Sequence, residues 1–288
     1  MSSSAVFDSR RTGLTLALPA ALFAAALFLL PVAILLSEAF TGPDGGFSVA
    51  AYGEFFGDPR YRAVFWRTLR LGLLVTFCAA AIGYVAAFAV VSLPPAQRGR
   101  VFGLIILPLM ISPVARTYAW LVILGRTGIV NDALGLVGLG PLRILFTETA
   151  VFIGLLQLFL PLMIVSLISA MENMPRDAVP AARMLGANWV QVFTRVIVPL
   201  TREGLVIGGT LVFTGSLTAY ITPAILGGSK VLMLETLLYQ RVTVGRDFAS
   251  ASVIAMILIL LCFGANIALR RLATVRRTAP RAAPAEAA

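Results

Sequence analysis

Six apolar runs, at 14–37, 68–91, 101–124, 150–171, 204–221 and 250–269, alternate with shorter polar segments along the chain. Each is close to the roughly 17–25 residues that carry a helix across a bilayer core. The pattern predicts an all-α, polytopic membrane protein with six transmembrane helices. It divides the chain into an N-terminal segment 1–13, a transmembrane domain 14–271 and a basic tail 272–288. Arg10 and Arg11 ahead of the first run resemble a secretory signal. That run exceeds the usual h-region of roughly 7–15 residues, and no A-x-A site follows, so it reads as a retained span.

One polar interruption is itself patterned. Residues 172–203 read ENMPRDAVPAARMLGANWVQVFTRVIVPLTRE. Pro175 precedes a helical run over 176–185, and Gly186 then offers a position where positive φ costs nothing. Asn188 followed by Gln191 has capping-box spacing. Trp189, Phe193 and Ile197 share one face of the next run, and Pro199 stops or kinks it. A plain loop rarely carries two capped helical runs. The stretch therefore reads as helix, glycine elbow and helix lying at the membrane surface.

Composition agrees with the spans. Hydrophobic residues make up 59% of the 288 positions and charged residues 12%, about half the charge of a soluble domain. Histidine is absent, and the two cysteines, Cys78 and Cys262, lie inside apolar runs. No metal site, disulfide framework or catalytic pair is indicated. The net charge of +10 comes from arginines scattered between apolar runs, which fits membrane topology rather than nucleic acid. With both termini cytoplasmic, the inner segments hold most of them, among them Arg98, Arg100, Arg195, Arg202, Arg270 and Arg271. This orientation places 172–203 inside, and the arginines of the tail then meet anionic lipid.

The outer segment 38–67 suggests a short amphipathic helix near 52–65, or an untidy loop. Gly72, Gly83 and neighbouring alanines allow close helix approach in the second span. GRVFG at 99–103 has the spacing of a small-residue packing face, and the fifth run holds GLVIG at 204–208. Pro108 and Pro113 open the third run, and Arg116, Tyr118 and Trp120 follow at once. Arg116 either snorkels to the outer interface or anchors a polar network along a pathway. Tyr118 and Trp120 are interface aromatics or line a site for a small amine or amide. Gln157 in the fourth run needs a hydrogen-bond partner. Thr210, Thr214 and Thr218 in the fifth either bond their own helix or face a pathway that continues to Tyr220. Asp132, Glu148 and Asp247 are outer acids able to attract a cation. No P-loop is present, so ATP hydrolysis is not expected of this chain. A channel needs no surface elbow, and an ion-driven carrier usually keeps an ionisable or unwound site at midplane.

ISPVARTYAWLVILGRTGIVNDALG at 111–135, together with the elbow, resembles the permease subunits of ATP-binding cassette importers for spermidine and putrescine. The family's docking pattern is Glu-Ala-Ala, three residues, Gly, nine residues, then Ile-x-Leu-Pro. Ala181, Ala182, Gly186, Val196, Val198 and Pro199 take its positions, and the leading glutamate falls on Pro180, with Asp177 three residues earlier. The resemblance implies a type I importer permease fold in the bacterial inner membrane, with both termini cytoplasmic. It implies ATPase coupling through Arg176, Asp177, Ala181, Ala182, Arg183, Gly186, Trp189 and Pro199. It further implies a second, different permease, two ATPases carrying ATP and Mg2+, an extracytoplasmic solute-binding protein and a polyamine substrate. The candidate pathway residues are Arg116, Tyr118, Trp120, Gln157, Thr214, Thr218 and Tyr220. An anionic or zwitterionic amino-acid-like solute is the alternative within this class, and a proton- or sodium-driven carrier the alternative outside it.

Overall fold

A computed structural model describes residues 10–42 and 45–274, with side chains from 17 to 271. The first nine residues of the predicted N-terminal segment, and the predicted tail beyond 274, lie outside them. The described residues are helical apart from connecting turns and one isolated bridge between Thr41 and Phe47. They fall into two compact units, one of the described residues up to 59 with 238–257, the other of residues 60–237 with the described residues from 258 on.

Four helices are long and apolar enough to cross a bilayer: α1 (Ala17–Glu38), α3 (Pro59–Val91), α7 (Glu148–Glu172) and α12, whose apolar stretch is Phe248–Arg271. Two further pairs meet that test only when each is taken as one bent span. Pro95–Met110 (α4) and Pro113–Ile123 (α5) meet at 94°, and Trp189–Leu200 (α9) and Arg202–Leu217 (α10) meet at 72°. Six straight spans are therefore not what the chain forms. Proline supplies the reason in the third run. Pro113 lacks an N–H and opens α5 at a first-turn position, where no donor is needed. Ser112 before it is extended, with ψ 132°, as residues preceding proline tend to be. The fifth run stops at Leu217, and helix resumes only at Ile221.

Other boundaries also move. The short outer helix is α2 (Ala50–Gly57), and Pro59 begins α3 nine residues before the predicted span. The last helix continues to Thr274, into the predicted tail. The remaining short helices are α6 (Ile129–Leu136), α8 (Ala178–Met184) and α11 (Leu234–Gln240).

The core of the larger unit lies between α3, α7 and α10. Val75, Ala79, Leu155, Met163, Leu167 and Val212 are fully buried there. Glycines set the spacing. A Cβ on Gly204 would stand 2.4 Å from Ala170 Cβ and 2.6 Å from the Ser166 carbonyl oxygen, and one on Gly208 2.7 Å from Met163 Sδ. A Cβ on Gly83 would stand 2.9 Å from Met163 Cγ. The expected close approach of the second span is thus realised, and Gly204 and Gly208 approach α7 as closely. The packing face expected at GRVFG is not formed: a Cβ on Gly99 or Gly103 meets nothing within 4 Å.

Candidate functional site

The elbow is built from local capping. Gly186 has φ +82°. Its N–H bonds the Arg183 carbonyl at 3.0 Å, and that of Ala187 bonds the Ala182 carbonyl at 3.1 Å. This paired arrangement closes α8 as a Schellman motif. Two residues on, Asn188 Oδ1 accepts from the Gln191 N–H at 2.8 Å, and Gln191 Oε1 accepts from the Asn188 N–H at 3.0 Å. The predicted capping box is formed. The preceding helix is shorter than predicted, Ala178–Met184, because Arg176 and Asp177 stay outside its first turn. Replacing Asn188 by alanine should cost the start of α9 about 1 kcal/mol. Amide exchange over Trp189–Val192 would read this as faster opening, and unchanged protection would refute it.

One side of the elbow is anchored. Phe193 meets Tyr84 edge-on at 5.4 Å and Trp189 meets Phe88 at 6.0 Å between ring centroids. Val192 and Ile197 are buried. Met174, Val179, Ala182 and Ala187 pack on the same core. The junction with α10 is tied as well. Thr201 Oγ1 donates to the Ile197 carbonyl at 2.7 Å, leaving Tyr84 Oη to donate to it at 3.2 Å. Pro199 ends α9 rather than breaking it in mid-course. A π-helical turn, Phe193–Ile197, precedes it, the kind of widened turn that relieves a proline's clash with the fourth residue back.

The other side is open. Met184 is 83% and Leu185 88% exposed, and Val190, Arg176 and Ala181 are exposed too. Arg183 is not extended away from the elbow. Its guanidinium carbon lies 4.8 Å above the Trp189 ring, a cation–π contact that stiffens the two arms against each other. At the same end of the spans Arg98 joins Glu172 at 3.1 Å.

The candidate pathway residues fall in several places rather than one. Trp120 and Gln157 border a cavity of about 380 Å3 with Pro108 and Pro161. Thr218 and Tyr220 border another of about 410 Å3, with Pro113, Phe159 and Gly215. It lies where the break after Leu217 meets the break before Pro113. Thr214 lines neither, and Tyr118 is exposed. Thr218 does bond its own helix, donating to the Thr214 carbonyl at 3.0 Å. A third cavity of about 600 Å3 lies between α10 and α12, bordered by Glu203, Thr210, Asn266 and Arg270. Of the three threonines of the fifth run only Thr210 reaches it, so their shared spacing gave no signal for it. Arg116 sits in the first turn of α5, not far along a straight span, and is only 9% exposed. Its Nε and Nη1 have no hydrogen-bond partner among the described residues, so the side chain does not snorkel freely.

Two of the three acids expected on the outer side, Glu148 and Asp247, are already engaged. Glu148 bonds Arg67 at 2.9 Å and also Arg70, and Arg67 reaches the Leu232 carbonyl at 3.1 Å. Asp247 accepts from the Ser250 N–H at 3.1 Å at the start of α12 and pairs with Arg241 at 3.4 Å. Hydrogen bonding from Ser250, with the Arg241 charge, holds its carboxyl below the usual range. No group of three or more metal-ligating side chains occurs among the described residues.

Long apolar helices, a capped elbow fixed to their core and cavities at helix breaks define a polytopic membrane protein of the transport-permease class. Residues 79–277 match the family of binding-protein-dependent transport system inner membrane components, and the chain belongs to that family. It is a permease subunit of an ABC-type importer, not an enzyme, and this membership sets the ion-driven carrier aside. The spermidine/putrescine transport system permease protein PotB of Haemophilus influenzae is 35% identical over 258 residues, 84% of this chain and 90% of that protein. The putative 2-aminoethylphosphonate transport system permease protein PhnU of Salmonella paratyphi A is 28% identical over 259 residues, 88% of each chain. The fold matches a chain of a bacterial alginate ABC transporter crystallised with its alginate-bound periplasmic protein. The TM-score is 0.76 at 18% identity, over 92% of this chain and 96% of that one.

Proposed function

We propose that this permease forms half of the substrate pathway for a small polar solute, a polyamine such as putrescine or spermidine, and is driven by a separate ATPase docked on the elbow. The observation that carries the coupling is the contrast between the elbow's two sides. One is locked into the core through Tyr84, Phe88, Val192 and Ile197, while the other offers Met184, Leu185 and Val190 to a partner. A lever must be rigid at its base and sticky at its tip. Gly186 and Ala181 keep the tip slim, Ala182 lets its inner side sit close on the core, Arg176, Asp177 and Arg183 supply charge beside it, Trp189 braces it, and Pro199 passes its motion to α10.

Counting each bent pair as one span gives six. The arginine distribution then places both termini and the elbow in the cytoplasm. A second, different permease completes the pathway, two ATPases bind ATP and Mg2+, and an extracytoplasmic binding protein delivers the solute. Thr218, Tyr220, Gln157 and Trp120 line this half, with Thr214, Arg116 and Tyr118 beside it. The 35% identity to a spermidine/putrescine permease supports the polyamine. A zwitterionic or anionic solute is the second reading, favoured by the buried Nε and Nη1 of Arg116, which have no hydrogen-bond partner among the described residues and for which an anion is the natural counter-charge. Purifying the intact complex and counting its chains tests the assembly. Two unlike permeases with two ATPases is the expected result, and recovery of a transport-active monomer would overturn it.

A further inference from the structure

The bend between α4 and α5 leaves backbone groups without partners at membrane depth. The apolar part of α4 begins at Val101, and the helix breaks at Ile111 and Ser112. At about 1.5 Å per residue the stretch between is about 15 Å long, half of a hydrocarbon core of roughly 30 Å. The N–H groups of Ser112, Val114 and Ala115 have no hydrogen-bond partner among the described residues, and neither do the carbonyls of Leu109 and Met110. The Ser112 side chain does not cap α5. Every residue from 110 to 115 is exposed.

Two kinds of cover can be set aside. Lipid tails offer no hydrogen bonds, so irregular backbone at this depth does not face hydrocarbon. Water would offer them, but this wall is not one that water wets. Met110 is 84% and Val122 67% exposed, and Ile111, Val114 and Tyr118 are exposed with them. Val114, Tyr118 and Val122 recur every fourth residue and so share one face of α5. Of residues 110–115 only Pro113 borders the neighbouring cavity, and a proline has no N–H for water to meet. Protein is the cover that remains, because it supplies apolar contact and hydrogen-bonding groups together.

We propose that the break between α4 and α5, with the face of Val114, Tyr118 and Val122, is the surface on which the second permease packs. The complementary partner surface is the apolar side of a helix that carries a hydroxyl or amide side chain. Such a group accepts from the freed N–H groups and donates to the freed carbonyls. The inference rests on the importer reading above and deepens it by naming where the two permeases touch.

The test is photo-crosslinking of the whole complex in its native membrane, with p-benzoylphenylalanine replacing Met110 or Tyr118 one at a time. The expected product is an adduct with the second permease, identified by mass spectrometry. Val114→Arg then places a charge in the contact, and the amount of second permease purified with this chain should fall about tenfold or more. Val114→Ile should retain it. Where Val114→Arg fails to accumulate in the membrane, the photo-adduct decides alone. An adduct with a second copy of this chain supports the surface and replaces the unlike partner by a like one. Lipid adducts or none at both positions, with the second permease still purifying alongside, overturn the surface and leave the importer reading intact. Equal recovery of the second permease with inserted Val114→Arg overturns it too. A transport-active preparation that holds no second permease of either kind overturns both.

Discussion

Replacing Gly186 by aspartate is expected to uncouple ATP hydrolysis from transport while leaving the helices inserted. Gly186 sits at φ +82°, where any L side chain is strained, yet a Cβ there meets nothing within 4 Å. The strain is therefore about 1–2 kcal/mol, too little to unfold a core that lies elsewhere. An aspartate would nonetheless place a carboxylate between Leu185 and Val190, on the face proposed to be covered by the ATPase. An uncompensated charge buried at an interface costs about 2–5 kcal/mol, enough for at least a tenfold loss of docking. Gly186→Ala carries the same φ strain without the charge, so it should retain most transport. Reconstituted uptake and ATPase rates on the two variants decide the matter. Wild-type transport by the aspartate variant would contradict the docking role. Loss of both variants from the membrane would make Gly186 a folding determinant instead.

Gly204→Leu is expected to have the largest effect on stability. Its first added atom would lie 2.4 Å from Ala170 Cβ and 2.6 Å from the Ser166 carbonyl oxygen. The second of these is backbone, which cannot rotate aside as a side chain can, so α7 and α10 must separate. Overpacking typically costs about 1–3 kcal/mol even where neighbours can adjust. Here the separation also exposes the buried contacts around Met163 and Leu167. Membrane yield and the Tm of the purified complex should both fall sharply. Gly99→Leu is the matched comparison, since it adds the same atoms where a Cβ meets nothing within 4 Å, and it should leave the stability of this chain unmoved. Similar Tm values for the two variants would mean that α7 and α10 do not pack this closely.

Local chemistry was legible in the sequence. The capping box at Asn188 and Gln191, the positive φ of Gly186 and the shared face of Trp189, Phe193 and Ile197 were all readable because each is decided within a few residues. Bilayer length was readable for the same reason in α1, α7 and α12, where an uninterrupted apolar run leaves the backbone no alternative to helix. The pairing of Glu148 with Arg67 and Arg70 was not readable, since those partners lie 81 and 78 positions away, and a free outer acid was the natural expectation.

The sequence by itself determined that this is a polytopic, all-α membrane protein with a capped glycine elbow, because apolar run length and helix-end chemistry are local properties of the chain. Only the tertiary structure decided which small-residue spacing is a packing face. Gly99–Gly103 and Gly204–Gly208 have the same spacing, yet α7 packs against the second alone. It likewise decided that the third and fifth runs are broken. A proline or a threonine-rich stretch permits a break, but whether the chain turns there depends on what the freed backbone groups meet. In the fifth run they meet a cavity bordered by Pro113 and Phe159, residues that lie far away in sequence and side by side in the fold.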